Sequence, residues 1–133
     1  MNEQNKSLVN QAYSNFQSGN MPALLALMAE DVVWTLPEMK GVPFAGKRSG
    51  KEAVGEFFSV LAASQEALSF NPRELIADGD KVVALGSYEW KVLANGREFK
   101  GDFAHAWGIR DGKVASFNEY TDTAACVAAY QKQ

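Results

Sequence analysis

Three turn signals constrain this chain more than anything else in it. Asp78-Gly79, Asn95-Gly96 and Asp111-Gly112 punctuate the stretch from Ala67 to Thr121. Glycine after Asn or Asp tolerates the positive φ angles that tight hairpins require. The segments between them are rich in β-branched and aromatic residues. This half of the chain therefore predicts four long antiparallel strands joined as a meander.

The other half is helical. Leu8, Val9, Ala12, Tyr13 and Phe16 recur at helical spacing until Gly19. Asn20 is a suitable N-cap, with Pro22 in the first turn, for a short second helix. Asp31 to Leu36 predicts a strand ended by Pro37, and Glu38 to Arg48 an irregular loop. Ser49 and Glu52 have capping-box spacing before a third helix that aligns Val54, Phe57, Phe58 and Leu61. Asp122 or Thr123 caps a last short helix, Ala124 to Gln131. The sum is an α+β fold with helices over one face of a curved antiparallel sheet. A length of 133 residues suits one domain, 1–133.

Composition excludes several classes of function. A net charge of -3, with scattered Lys and Arg, offers nothing to replace the counterions of a nucleic acid. No apolar run approaches the ~20 residues of a membrane span, and the N-terminus lacks a signal peptide's apolar stretch, so a cytoplasmic location is expected. The lone Cys126 rules out an internal disulfide and multi-thiolate zinc, and reads as a packed, inert thiol. One histidine without clustered acids gives no metal set. No phosphate-binding or dinucleotide loop is present, so no cofactor is expected.

If Asn95-Gly96 and Asp111-Gly112 are both two-residue turns, every strand residue is assigned to a face. One face carries Tyr88, Trp90, Phe103, His105 and Trp107, and on the last strand Val114, Ser116, Asn118 and Tyr120. His105 then sits opposite Gly86 and Asn118. The other face has a small, apolar middle of Val83, Leu85, Ala104, Ala106, Ala115 and Phe117. A sheet facing solvent would be polar there, so a second copy of the chain is expected to cover it as a homodimer.

The segments "AEDVVWTLP", "PFAGKRSGKEAVGEFF" and "FAHAWGIRDGKVASFNEYTDTAA" resemble SnoaL-like proteins of the nuclear transport factor 2 superfold. These are relatives of ketosteroid isomerases, scytalone dehydratases, limonene-epoxide hydrolases and polyketide cyclases. The resemblance covers nearly the whole chain. It implies a cone-shaped curved sheet, three N-terminal helices, a short C-terminal helix, and a pocket for a small apolar molecule. It does not imply one activity, because this superfold hosts many.

Compared with ketosteroid isomerases, His105 stands at the position of a protonated Asp, and Leu36 at that of the general base. Ala12 stands at that of a helix-one Tyr, unless a shift brings Tyr13 into the role, and Phe58 replaces a further Tyr. That machinery is largely missing. Arg73 has no pair of inward acids to form the set of the epoxide hydrolases. SnoaL-type cyclases pair a carboxylate with a histidine, and here the carboxylate would be Glu119 or Asp122. Glu119 reaches the pocket only if a bulge shifts its strand.

The candidate catalytic residues are thus His105, Asn118 and Tyr120. Trp34, Leu36, Phe58, Tyr88, Trp90, Phe103 and Trp107 are the candidate substrate-binding residues. Two readings stay open. One is a cofactor-free isomerase, cyclase or lyase using His105 for proton transfer on a polyketide-, steroid- or terpenoid-like molecule. The other is a non-catalytic ligand-binding or dimeric scaffold protein. Glu38 to Arg48 is the candidate lid.

Overall fold

Helix α1 (Asn2–Gln17) buries Leu8, Val9, Ala12 and Tyr13. Gly19, at φ 74°, ends the run. The Asn20 side chain then accepts from the Ala23 N–H at 3.2 Å and starts α2 (Met21–Ala26). Strand β1 (Met28–Thr35) follows, then a short β2 (Lys47–Ser49), α3 (Lys51–Ser64), the meander β3 (Gln65–Asp78), β4 (Lys81–Val92), β5 (Glu98–Arg110) and β6 (Lys113–Thr121), and α4 (Thr123–Tyr130). The computed structural model describes residues 2–131. Residues 1, 132 and 133, part of the single-domain expectation, lie outside the described residues.

The six strands form one curved sheet in the order β2-β1-β6-β5-β4-β3. The α+β class expected from the sequence is the one observed, with two differences. The sheet is mixed, because β1 runs parallel to β6. The capping box does not form: Ser49 pairs with Val33 in β2, and Gly50, at φ 93°, is the N-cap of α3 without a side-chain bond. A three-residue strand is too short to leave a period in the sequence.

The two hairpins decide where side chains point. Between β4 and β5 the loop is longer than two residues. Val92 N–H donates to Arg97 O at 2.8 Å, leaving Leu93 to Gly96 outside the ladder. The longer loop has a use. Asn95 Nδ2 donates to Ala129 O at 2.9 Å, and Arg97 Nη1 to Ala128 O at 3.1 Å, satisfying carbonyls in the last turn of α4. His105 therefore pairs with Ala84, and Gly86 with Phe103. This shift is even, so every face assignment on β4 and β5 survives.

The β5–β6 turn is the two-residue hairpin expected, with Asp111 and Gly112 both at positive φ. Beyond it the ladder slips. Ile109 pairs with Val114 but Gly108 with Ser116, so Ala115 is an extra residue on β6. That shift is odd. It turns Phe117, Glu119 and Thr121 towards the helices, and Ser116, Asn118 and Tyr120 towards the opposite face.

One core joins the sheet's inner face to α1, α2, α3 and the loop between β1 and β2. Gly86 is indispensable to it. A Cβ there would stand 2.4 Å from Asn71 O, 2.5 Å from Phe103 Cζ and 2.9 Å from Pro72 Cα. β3 bends across this point through a bulge between Pro72 and Glu74. The glycine opens no room beside the histidine; its space is already taken by Phe103 and by β3.

On α4, started by Asp122 accepting from Ala125 N–H at 3.1 Å, Cys126 faces the core. Burial pushes its thiol up to about 12, which makes the reactive thiolate scarce at neutral pH.

Two outcomes follow. Gly86→Ala should destabilise by about 2 kcal/mol or more through overpacking against main chain, whereas Gly101→Ala, whose new Cβ would meet its nearest neighbour at 3.6 Å, should lie within about 0.5 kcal/mol of wild type; paired urea melts measure both. Cys126 should resist alkylation near neutral pH in the native protein and react fully in urea, as read by intact mass.

Candidate active site

The inner face of the sheet and the helices above it enclose a cavity of about 70 Å3, several times the ~10–15 Å3 that one water molecule needs. Its walls are mostly aromatic. Trp34 comes from β1, Leu36 from just past its end, Phe58 from α3, Tyr88 and Trp90 from β4, and Trp107 from β5. Six of the seven predicted binding residues therefore line it. Phe103 does not. It lies flat against His105, ring centroids 4.1 Å apart, and against Phe70 at 5.2 Å, so it supports the histidine from behind.

His105 is 3% exposed and engaged at both ring nitrogens. Nδ1 is 2.7 Å from the Tyr13 hydroxyl. Nε2 is 2.9 Å from Glu119 Oε2. The Trp107 indole N–H donates to the Tyr13 oxygen at 3.1 Å. With Glu119 ionised, one proton arrangement satisfies all four groups. Trp107 donates to Tyr13, Tyr13 donates to Nδ1, and Nε2–H donates to the carboxylate. Burial, with Glu119 nearby adding to the effect, raises the Tyr13 phenol above its ordinary value and keeps its proton in place.

A second phenol belongs to the same wall. The Tyr88 hydroxyl is bonded to Thr121 Oγ1, which itself donates to Asp102 O at 3.0 Å. Tyr88 must therefore be the donor to Thr121. Its phenol is also raised, first by burial and then by Glu119. Glu119 is thus the one carboxylate among the cavity-lining residues, and its side chain keeps 15% of its surface exposed.

The predicted trio of His105, Asn118 and Tyr120 is not brought together. Asn118 pairs with Ala106 on the outer face, and Tyr120, 61% exposed, lies opposite Ala104. The Ala115 bulge is the reason. It exchanges Asn118 for Glu119 as the neighbour of His105. The strict alternation carried a visible warning, because it turned Phe117 outward and two polar residues inward. Tyr13, named in the sequence only as a possible substitute for Ala12, is the residue of α1 that reaches the histidine. Asp122 caps α4, and Arg73 points outward to Ser87 Oγ at 2.8 Å and Asp102 at 3.8 Å.

The irregular loop closes the far side of the cavity with Met39 and Phe44. It is tied at its neck. Leu36 N–H donates to Gly46 O at 2.9 Å, and Arg48 Nη1 donates to Phe44 O at 2.9 Å and Ala45 O at 3.2 Å. The Arg48 guanidinium also lies over the Phe57 ring, 5.3 Å from its centroid. Among the described residues no group of three or more His, Cys, Asp or Glu could hold a metal ion, and no helix is long and apolar enough to cross a membrane.

Solved structures share this architecture from end to end. An NTF2-like protein from Burkholderia xenovorans is 30% identical, with 98% of each chain covered and a TM-score of 0.90. An NTF2-like protein of unknown function from Burkholderia pseudomallei is 28% identical, with 97% of this chain and 98% of that one covered and a TM-score of 0.89. TerC, co-crystallised with polyporic acid, is 29% identical, with 97% and 99% covered and a TM-score of 0.87. None of the curated proteins matches the chain. The SnoaL-like domain family matches residues 9–117, a span that runs from α1 through Tyr13 and His105 to Phe117, and the chain belongs to that family.

Proposed function

We propose that this protein is a cofactor-free isomerase or cyclase that moves a proton on a small aromatic carbonyl compound, with Glu119 as the base and His105 as the residue that holds it. The observation that carries this reading is the Glu119–His105 contact of 2.9 Å at the wall of an otherwise apolar cavity. A carboxylate oriented by an N–H and shielded from bulk water suits abstraction of a proton from carbon next to a carbonyl. Glu119 takes that proton, leaving an enolate, and returns it to a different carbon in an isomerisation. In a cyclisation the enolate carbon bonds to a second carbonyl carbon, and the proton goes to the alkoxide so formed. Neither sequence needs an oxidant or a reductant.

His105 does not serve as the primary base in this scheme. Nδ1 already accepts from Tyr13, and Nε2–H is committed to Glu119. Its part is to fix one carboxylate oxygen and to share charge as Glu119 cycles between its two forms. Polyporic acid, the compound crystallised with TerC, is an aromatic hydroxyquinone. A flat oxygenated ring of that kind matches a cavity walled by Trp34, Trp90 and Trp107.

A binding-only role is the competing reading. It draws on Leu36, an apolar residue at the position of the general base of the ketosteroid isomerases. A pure scaffold fits less well, since an open cavity with a carboxylate at its wall has no use in one. We also propose that the outer sheet face pairs with a second copy across a two-fold axis. Val83, Leu85, Ala104 and Ala106 form its half-buried centre, with Ile76 50% exposed at one side and Tyr120 at the other. Phe117, expected in that interface, belongs to the core instead.

Three measurements test these proposals. Glu119→Gln keeps shape and should slow exchange of the α-hydrogens of tetralone in heavy water by ~10²–10⁴-fold at an unchanged melting temperature; equal rates in variant and wild type would remove Glu119 as the base. His105→Ala should instead destabilise the fold by about 2 kcal/mol or more, because it leaves the Tyr13 O–H without an acceptor and a mostly buried carboxylate without its donor; calorimetry reads this, and a wild-type melt would contradict the network. Leu85→Glu should convert a dimer into a monomer in sedimentation, and a wild-type protein that sediments as a monomer at tens of micromolar, roughly where specific interfaces are already formed, would refute the interface.

A further inference from the structure

Among the described residues, one buried side-chain polar atom has no hydrogen-bond partner, and it belongs to a residue that lines the cavity. It is the indole nitrogen of Trp34. The neighbouring Trp107 indole and the buried phenols are satisfied. Trp107 donates to Tyr13, Tyr88 to Thr121, and the Tyr130 hydroxyl to Gln65 Oε1 at 2.6 Å. Buried N–H groups are nearly always paired, and an unpaired one is destabilising. The neighbours of Trp34 are rings: Phe117 stacked at 3.9 Å, and Phe58 and Trp107 edge-on at 5.4 and 5.7 Å. Rings are weak acceptors at best. They also clamp the indole, so it cannot turn to find a better partner.

We infer that the Trp34 indole N–H is the donor that reads an oxygen acceptor on the bound molecule, so that the ligand carries a carbonyl or quinone oxygen beside β1 as well as the acidic carbon facing Glu119. This rests on the reading of the cavity as a ligand site given above. The placement fits a two-ended molecule. Trp34 stacks on Phe117, and Phe117 in turn packs 4.7 Å from His105, so the donor and the histidine that holds the base stand one ring apart. A plain hydrocarbon would leave Trp34 unpaired and would gain only from apolar contact. Selection for oxygenated aromatics then comes from β1, independently of the chemistry on β5 and β6.

The test compares lawsone, a hydroxynaphthoquinone, with methylnaphthalene, which has the same two-ring frame and no oxygen. Binding to wild type and to Trp34→Phe is titrated by calorimetry, and the indole N–H resonances are followed by NMR. Lawsone should bind Trp34→Phe about tenfold more weakly than wild type, the equivalent of one lost hydrogen bond, while methylnaphthalene binds both alike. In wild type, the indole N–H signal that is absent from Trp34→Phe should move downfield with lawsone only. Equal lawsone affinity for both proteins, or an unmoved signal, would overturn the donor assignment and leave Glu119 and His105 untouched. Equal weakening for both ligands would assign Trp34 to packing alone, which also overturns it. Failure of wild type to bind either compound would overturn this inference together with the ligand class proposed above.

Discussion

A single extra residue in β6 determines what the cavity contains. Ala115 has no partner on β5, and because side chains alternate along a strand, that one residue reverses the direction of everything after it. Glu119 enters an apolar interior that would otherwise have received Asn118, and Phe117 enters to carry Trp34. The carboxylate, the stacked indole and the histidine's second hydrogen bond all depend on this local slip. Gly108 accommodates it: a Cβ there would stand 2.3 Å from Ser116 Oγ. Bulges re-aim side chains near functional sites, and here the re-aimed side chain is the only ionisable carboxylate lining the cavity.

Placing that carboxylate indoors requires compensation, and the compensation runs through three elements. Helix α1 supplies the Tyr13 hydroxyl, β5 supplies the His105 ring and the Trp107 N–H, and β6 supplies Glu119. Each hydrogen bond crosses from one element to another. A buried network of this sort is stable only when complete, since an unpaired member is far more unfavourable than a made bond is favourable. The network therefore also fixes how α1 lies across the sheet. The contacts that orient Glu119 also hold the fold together, so removing His105 disturbs both at once. At Glu119 an amide can replace the acid without changing the outline.

The long periodic parts of the fold are legible in the sequence. The apolar stripes of α1 and α3, the Asn20 cap, the Asx-Gly turns and the alternation of β4 and β5 are local signals, and local signals survive in a sequence. Most of the cavity wall followed from that alternation, including Trp34 only because β1 was recognised as a strand. What escaped was long-range or irregular. β2 is too short to show a period, and the parallel pairing of β1 with β6 joins segments far apart in the chain. The longer β4–β5 loop moved the partner of His105 by two residues without disturbing the faces. The one-residue slip in β6 did disturb them: it turned Asn118 and Tyr120 to the outer face and Glu119 and Thr121 inward. An outward Phe117 beside inward Ser116 and Asn118 is the trace that this bulge leaves in the sequence.

The clasp made by Arg48 has a consequence of another kind. It grips the loop between β1 and β2 through main-chain oxygens of Phe44 and Ala45, not through their side chains. Any residue presents the same carbonyl, so this grip is insulated from the loop's own composition. Met39 and Phe44, both buried, tie the loop to the core from the other side, Phe44 through edge-on contacts with Phe57 and Tyr130. The loop wall and the wall that carries Glu119 are thus held by separate contacts, the one by Arg48 and core packing, the other by the hydrogen bonds that join α1, β5 and β6. A change on the loop side reshapes the chamber without touching the hydrogen bonds of Glu119.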